Sequence, residues 1–104
     1  MSGGRDLFQA FQIDPGESGL DYDIDCRPWL TGTATMASVE LEQEVGDPVV
    51  YASPVALFDG GRMAKFIAAC PDGTLPGARF VRVKLTDNQG RVGRQWFQMT
   101  VGLG

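Results

Sequence analysis

The chain has 104 residues, a net charge of −4, 43% hydrophobic residues and no histidine. That length holds one domain around one core, and no apolar run approaches the roughly 18 residues of a membrane span. Without histidine the usual general base near neutral pH is missing, together with Ser–His and Cys–His nucleophile pairs, and the acidic balance argues against a dedicated nucleic-acid binder.

Residues 1–6 are small and polar, carry no apolar signal core behind them, and are expected to be mobile. With no targeting segment, the expected location is the cytoplasm in which the chain is made. The apolar run Leu7–Ile13 places Leu7, Phe11 and Ile13 on one face of a strand, interrupted by Gln9. Leu7, Ala10 and Phe11 also fit a helical face. Asp14-Pro15-Gly16-Glu17-Ser18-Gly19 is a turn-rich linker. Two placements follow for the run before it: an edge strand of its own domain, or an arm laid on a neighbouring subunit by strand addition. In the second, Leu7, Phe8, Phe11 and Ile13 are the candidate partner-binding side chains, and deleting residues 1–13 leaves the fold intact. The resulting division is an N-terminal arm and linker over 1–19 and a β-sandwich over 20–104.

Asp21, Asp23 and Asp25 alternate with Leu20, Tyr22 and Ile24, so a strand puts three carboxylates on one face. A calcium ion, a cation from the neighbouring strand, or solvent would each relieve their repulsion. The EF-hand pattern is absent, and structural pairing is the preferred reading. Val39, Leu41 and Val45 alternate with Glu40, Glu42 and Glu44, which predicts a half-buried strand with an acidic outer face. Val49–Tyr51 and Val55–Phe58 flank Ser53-Pro54, where the proline implies an edge or a bend. Asp59-Gly60-Gly61 predicts a hairpin turn. A strand over Met63–Cys70 follows, then turns at Pro71-Asp72-Gly73 and Leu75-Pro76-Gly77. Phe80–Thr86 is the clearest strand, with Val81, Val83 and Leu85 inward and Arg82 and Lys84 outward. Asp87-Asn88-Gln89-Gly90 is its hairpin loop, and Arg91–Val101 closes the domain.

About seven short strands with frequent turns, and no capped helix, predict an all-β fold: a small antiparallel immunoglobulin-like β-sandwich with an N-terminal extension. Residues 1–59 carry eleven acidic and two basic residues, a balance of −9, while 60–104 carry two acidic and seven basic, a balance of +5. Pairing of acidic and basic strands within one sandwich is the preferred explanation, with head-to-tail mating of subunits as the alternative. Arg79, Arg82, Lys84, Arg91 and Arg94 form a candidate basic patch around one hairpin, for which pairing with the Glu40/Glu42/Glu44 strand is preferred. Trp29 and Trp96 are assigned to the core. Cys26 and Cys70 are expected to be reduced, half-buried thiols; an inter-sheet bridge is the alternative, in a periplasmic or secreted sandwich. Two Cys without His do not hold zinc. No phosphate-binding loop or nucleophile elbow occurs. No catalytic residue, metal or cofactor is expected.

The run Asp14-Pro15, Leu20-Asp21-Tyr22-Asp23-Ile24-Asp25 and Trp29-Leu30 resembles the opening of a family of phage fiber–tail adaptor or immunoglobulin-like virion structural proteins. Asp87-Asn88-Gln89-Gly90-Arg91, Gln95-Trp96-Phe97 and Val101 are similar to its closing strand. The resemblance covers roughly residues 14–101 and departs at Cys26, where the family has Trp. It implies a non-enzymatic building block of the virion in the head–tail, neck or tail–fiber region, present in the host cytoplasm during assembly. The implied partners are other virion proteins in a symmetric, homo-oligomeric arrangement, with no nucleic acid and no membrane. A second reading is an immunoglobulin-like recognition module for a host surface glycan or protein, for which Tyr22, Tyr51 and Trp96 are the candidate contact aromatics.

Overall fold

The computed structural model describes residues 7–103, and the side chains of residues 7 and 8 fall outside that description. The expectation for residues 1–6 therefore lies outside the described residues. In chain order the strands are β1 (Leu7–Ile13), β2 (Leu20–Asp25), β3 (Met36–Gln43), β4 (Val50–Tyr51), β5 (Ala56–Phe58), β6 (Met63–Ala69), β7 (Gly77–Asp87) and β8 (Val92–Val101). They form two sheets. One runs β1-β8-β7-β3; the other runs β2-β6-β4, with β5 also on β6. This is a sandwich of immunoglobulin-like type, with β3, β7 and β8 in one layer and β2 and β6 in the other. The only helical turn among the described residues is Asp59–Gly61. It closes the β5–β6 hairpin where a turn is predicted, with Asp59 at φ 53° and both glycines at positive φ. A Cβ on Gly61 would lie 3.0 Å from Thr35 Cβ, so the turn needs glycine for contact as well as for conformation.

The alternation in the long hairpin explains the core. β7 buries Val81, Val83 and Leu85, and β8 buries Phe97, Met99 and Val101. Intervening residues face outward, because successive strand side chains point to opposite faces. From the other sheet, Ile24, Ala64, Phe66 and Ala68 complete the apolar layer. Phe66 is its centre. It stacks on Phe97 at 5.0 Å and on Tyr22 at 5.2 Å, and meets Phe11 and Tyr51 edge-on at 5.5 and 5.6 Å. Burial of one such ring stabilises by roughly 1.5–3 kcal/mol, with about 0.5–1.5 more for each well-placed aromatic neighbour.

Three expectations are corrected. Of the two placements open for residues 7–13, the structure has the edge strand of its own domain and not the outlying arm: β1 pairs in parallel with β8 from Leu7↔Trp96 to Ile13↔Val101, with a bulge between Leu7 and Gln9. The boundary at residue 19 therefore cuts through one domain, and the sandwich contains a parallel pair. Val45 is not a strand residue. β3 ends at Gln43, the chain turns, and Val45 is fully exposed. The cysteines are not half-buried, since Cys26 and Cys70 are 0% and 2% exposed. Both are free thiols. Cys26 sits across from Arg62 and Cys70 across from Glu17, at opposite ends of the β2–β6 pair. At ~3.3 Å per residue they are about 25 Å apart, far beyond the reach of a disulfide.

Candidate functional site

Two of the four proposed partner-binding side chains, Phe11 and Ile13, are committed to the chain's own core. Ile13 is 1% exposed. Phe11 is packed edge-on against Tyr22, Phe66 and Phe97 at 5.4–5.5 Å. Neither can insert into a neighbour without unmaking the sandwich. The side chains of Leu7 and Phe8 lie outside the described residues. Gln9, which interrupts the apolar pattern, has a different job. Its amide donates to the Asp23 carbonyl at 3.2 Å and accepts from the Asp25 N–H at 2.7 Å. The Tyr22 hydroxyl donates to the Gln12 carbonyl at 2.8 Å. These bonds fasten the outer edge of β2 to β1, across the two sheets.

The three aspartates of β2 are held by cations of the chain itself. Lys65, on the neighbouring strand β6, lies 3.2 Å from Asp21 and 3.8 Å from Asp23. Arg27 makes a two-pronged contact with Asp25 at 2.8 and 2.9 Å, and this hydrogen bond holds the Asp25 carboxyl below its ordinary range. Among the described residues no cluster of three His, Cys, Asp or Glu side chains is placed to hold a metal.

The basic patch divides into three. Arg82 and Arg94 both place Nε 2.9 Å from the same Glu42 oxygen, and their hydrogen bonds lower the Glu42 pKa. Arg82 is in register with Glu42, and Lys84 with Glu40, so acidic β3 pairs with basic β7 within one sheet, as preferred from sequence. Arg91 instead turns to the hairpin. Its Nε lies 2.6 Å from the buried Asp87 carboxylate, which also accepts N–H bonds from Gln89 and Arg91 at 2.9 Å. Burial pushes the Asp87 pKa up, but these bonds prevail and hold it below its ordinary value. The Arg91 guanidinium also lies 5.1 Å from the Trp29 ring. Trp29 in turn crosses Gly93, where a Cβ would come within 2.7 Å of the indole. Arg79 turns inward toward Asp47, with Nε 3.8 Å from its carboxylate.

The tryptophans separate accordingly. Trp29 packs on the core. Trp96 does not: it alternates with buried Phe97 and Met99, so its ring lies on the outer face of the four-stranded sheet, partly exposed. The Arg82 guanidinium stands 6.0 Å from that ring, at the long limit of a cation–π contact. Phe80, Gln98 and Thr100 share this face by the same alternation. Tyr22 and Tyr51 are removed from the set of surface aromatics, because both pack on Phe66. Sequence reasoning missed Phe80 and Gln98; the signal was their parity with Arg82 and Trp96 along the two strands.

On this face ion pairs tie three strands together, with Arg82 of β7 and Arg94 of β8 on Glu42 of β3. The molecule is 19 Å thick along its shortest axis. Cys26 offers no reactive thiolate, because burial, with a smaller effect from Asp25, pushes its pKa up to about 11.

No family model matches the chain, and no curated protein matches it. Among solved structures it is similar to the solution structure of the PKD domain from the KIAA 1837 protein, at 14% identity and a TM-score of 0.47, covering 97% of this chain and 87% of that domain. The sandwich assignment itself rests on strand order and register.

Proposed function

We propose that this chain is a non-enzymatic virion structural protein, an adaptor that docks other virion proteins in the head–tail, neck or tail–fiber region of a phage. The observation that carries the docking role is the outer face of β1-β8-β7-β3. It presents Trp96 beside Arg82, and Arg82 and Arg94 are clamped on Glu42. Aromatic and arginine side chains held in fixed positions are the groups that anchor protein interfaces. The opening motif supports the virion setting: Leu20, Tyr22 and Ile24 build β2, and Trp29-Leu30 closes the turn beyond it against the core. In a ring of copies, a modest contact at each face is multiplied by symmetry.

Mass spectrometry of purified particles of the encoding phage is the test. The chain is expected in a fixed ratio to the other structural proteins. Trp96→Ala is expected to lower that ratio while leaving the unfolding free energy of the isolated domain, from urea denaturation, within about 0.5 kcal/mol of wild type, as for a surface change. Particles lacking the chain would overturn the virion role. Unchanged incorporation of Trp96→Ala would move the docking surface elsewhere.

A further inference from the structure

The outward strand positions of the four-stranded sheet do not balance in charge. Arg82, Lys84 and Arg94 stand there with Glu40 and Glu42, three cations against two acids on a chain whose net charge is −4. The excess sits on β7 and β8. Lys84 and Arg94 are a register pair across that ladder. Like charges directly opposite each other on one face destabilise a strand pair. One carboxylate answers them: Glu42 Oε1 accepts from the Nε of both Arg82 and Arg94, at 2.9 Å each. The Nη groups of the two arginines make no hydrogen bond among the described residues, and the two side chains are 46% and 44% exposed. Lys84 is in register with Glu40 but makes no ion pair among the described residues. Three neighbouring cations thus share one committed carboxylate and keep donors in hand.

We propose that this face docks an acidic segment of another protein, with an Asp or Glu carboxylate of that segment held by Arg82 and Arg94 and by the Lys84 ammonium beside them. The proposal rests on the reading of this sheet as the docking surface and names the chemistry of its partner. A carboxylate suits the unused donors, because guanidinium N–H groups bind it with short, charge-assisted hydrogen bonds. It also relieves the opposition of Lys84 and Arg94, which Glu42 alone leaves with excess positive charge. A second copy of this chain is a poor source of that carboxylate. Its matching face carries the same excess of cation, and the aspartates of its opposite sheet are held by Lys65 and Arg27. A nucleic acid is a poor occupant too. Its phosphates repeat along a line. Beyond the three cations the strands continue in uncharged Phe80, Gln98 and Thr100, and Glu40 and Glu42 border the other side.

The test titrates the isolated protein with a capped synthetic peptide alternating glutamate and glycine, followed by NMR of the arginine side-chain N–H groups. The Nε–H resonances of Arg82 and Arg94 are expected to shift. The peptide is expected to bind about tenfold more tightly than its glutamine counterpart, and more weakly as salt is added. Lys84→Gln is expected to weaken binding severalfold while raising the urea midpoint of the free protein, because it removes one of two opposed cations. A lysine with a merely structural role would not couple a gain in stability to a loss in binding. Equal affinity for the glutamate and glutamine peptides would overturn the proposal, as would binding that leaves the Arg82 and Arg94 resonances in place, or unchanged affinity in Lys84→Gln. So would tighter binding of an oligothymidylate than of the glutamate peptide, which would make the occupant a nucleic acid. Concentration-dependent shifts of the same resonances without peptide would also overturn it, making the occupant a second copy. The two readings fail separately: particles lacking the chain would leave peptide binding untouched, and failure of the glutamate peptide would leave the chain's ratio in particles unchanged.

Discussion

The two long sides of the sandwich are closed by different means. On the side of β1 and β2, a neutral amide and a tyrosine hydroxyl bridge the layers: Gln9 bonds both Asp23 and Asp25, and Tyr22 bonds Gln12. On the side of β3 and β4–β5, Gln43 reaches the Val49 and Asp47 carbonyls at one end, and a groove runs beside the rest. Polar atoms follow the same division. Near this second side, the Tyr51 hydroxyl, one Asp47 oxygen and the Arg79 Nε are buried without a hydrogen-bond partner in the protein. The first side is fastened for stability. The second buries polar atoms that the protein leaves without a hydrogen bond, and each such atom weakens that side relative to the first.

The most severe way to break this comparison is to remove the fastening strand. Deletion of residues 1–13 takes away Phe11 and Ile13 and uncovers the β8 edge. It is expected to abolish cooperative unfolding in urea, as followed by circular dichroism. A deletion variant that still unfolds cooperatively would restore the arm reading. The graded version is Phe11→Ala, expected to cost about 3–5 kcal/mol, as for a ring lost from a core. A loss below about 1 kcal/mol would mean that Phe11 does not bind the two layers together.

Next in size is Gln9→Ala, expected to cost about 1–2 kcal/mol because it leaves a backbone N–H and a carbonyl of β2 without partners. It also frees the β2 edge, so concentration-dependent association by sedimentation is expected to rise. Gln9→Glu should behave no better. A carboxylate cannot donate to the Asp23 carbonyl, and it adds a negative charge beside Asp23 and Asp25. If Gln9→Ala is as stable as wild type, the first side is closed by packing alone.

The sandwich and most of its strands were legible because their inward positions are apolar at period two, as in Val81-Arg82-Val83-Lys84-Leu85. The pairing of acidic β3 with basic β7 was legible for the same reason, since outward charges of opposite sign alternate in register. The place of β1 was legible only as one of two alternatives, and its partner strand was not legible. Parallel pairing with the last strand joins residues more than eighty positions apart, and nothing local in Leu7–Ile13 records it. Gln9 looked like a flaw in an apolar face because periodicity scores its polarity and not its reach to β2. Trp96 was misassigned for a related reason: bulk predicts burial on average, while its parity with Arg94 and Gln98 placed it outside.

The finest probe of the comparison is one substitution made on both sides. Tyr22 and Tyr51 pack on the same Phe66 ring, at 5.2 and 5.6 Å, so replacing either with Phe keeps the aromatic contact and removes only the hydroxyl. Tyr22→Phe loses a hydrogen bond to the Gln12 carbonyl and is expected to cost about 0.5–1 kcal/mol. The Tyr51 hydroxyl has no partner in the protein, and its burial, with Asp47 nearby, raises its pKa. Removing it discards a desolvated polar group without breaking a bond, so Tyr51→Phe is expected to be neutral to slightly stabilising, within about 0.5 kcal/mol. Urea denaturation of the two variants under one condition reads the difference directly. Equal losses would mean that the Tyr51 hydroxyl is bonded in solution and that the groove side is fastened as fully as the other. Opposite signs would show that the groove side buries a polar group which the first side bonds.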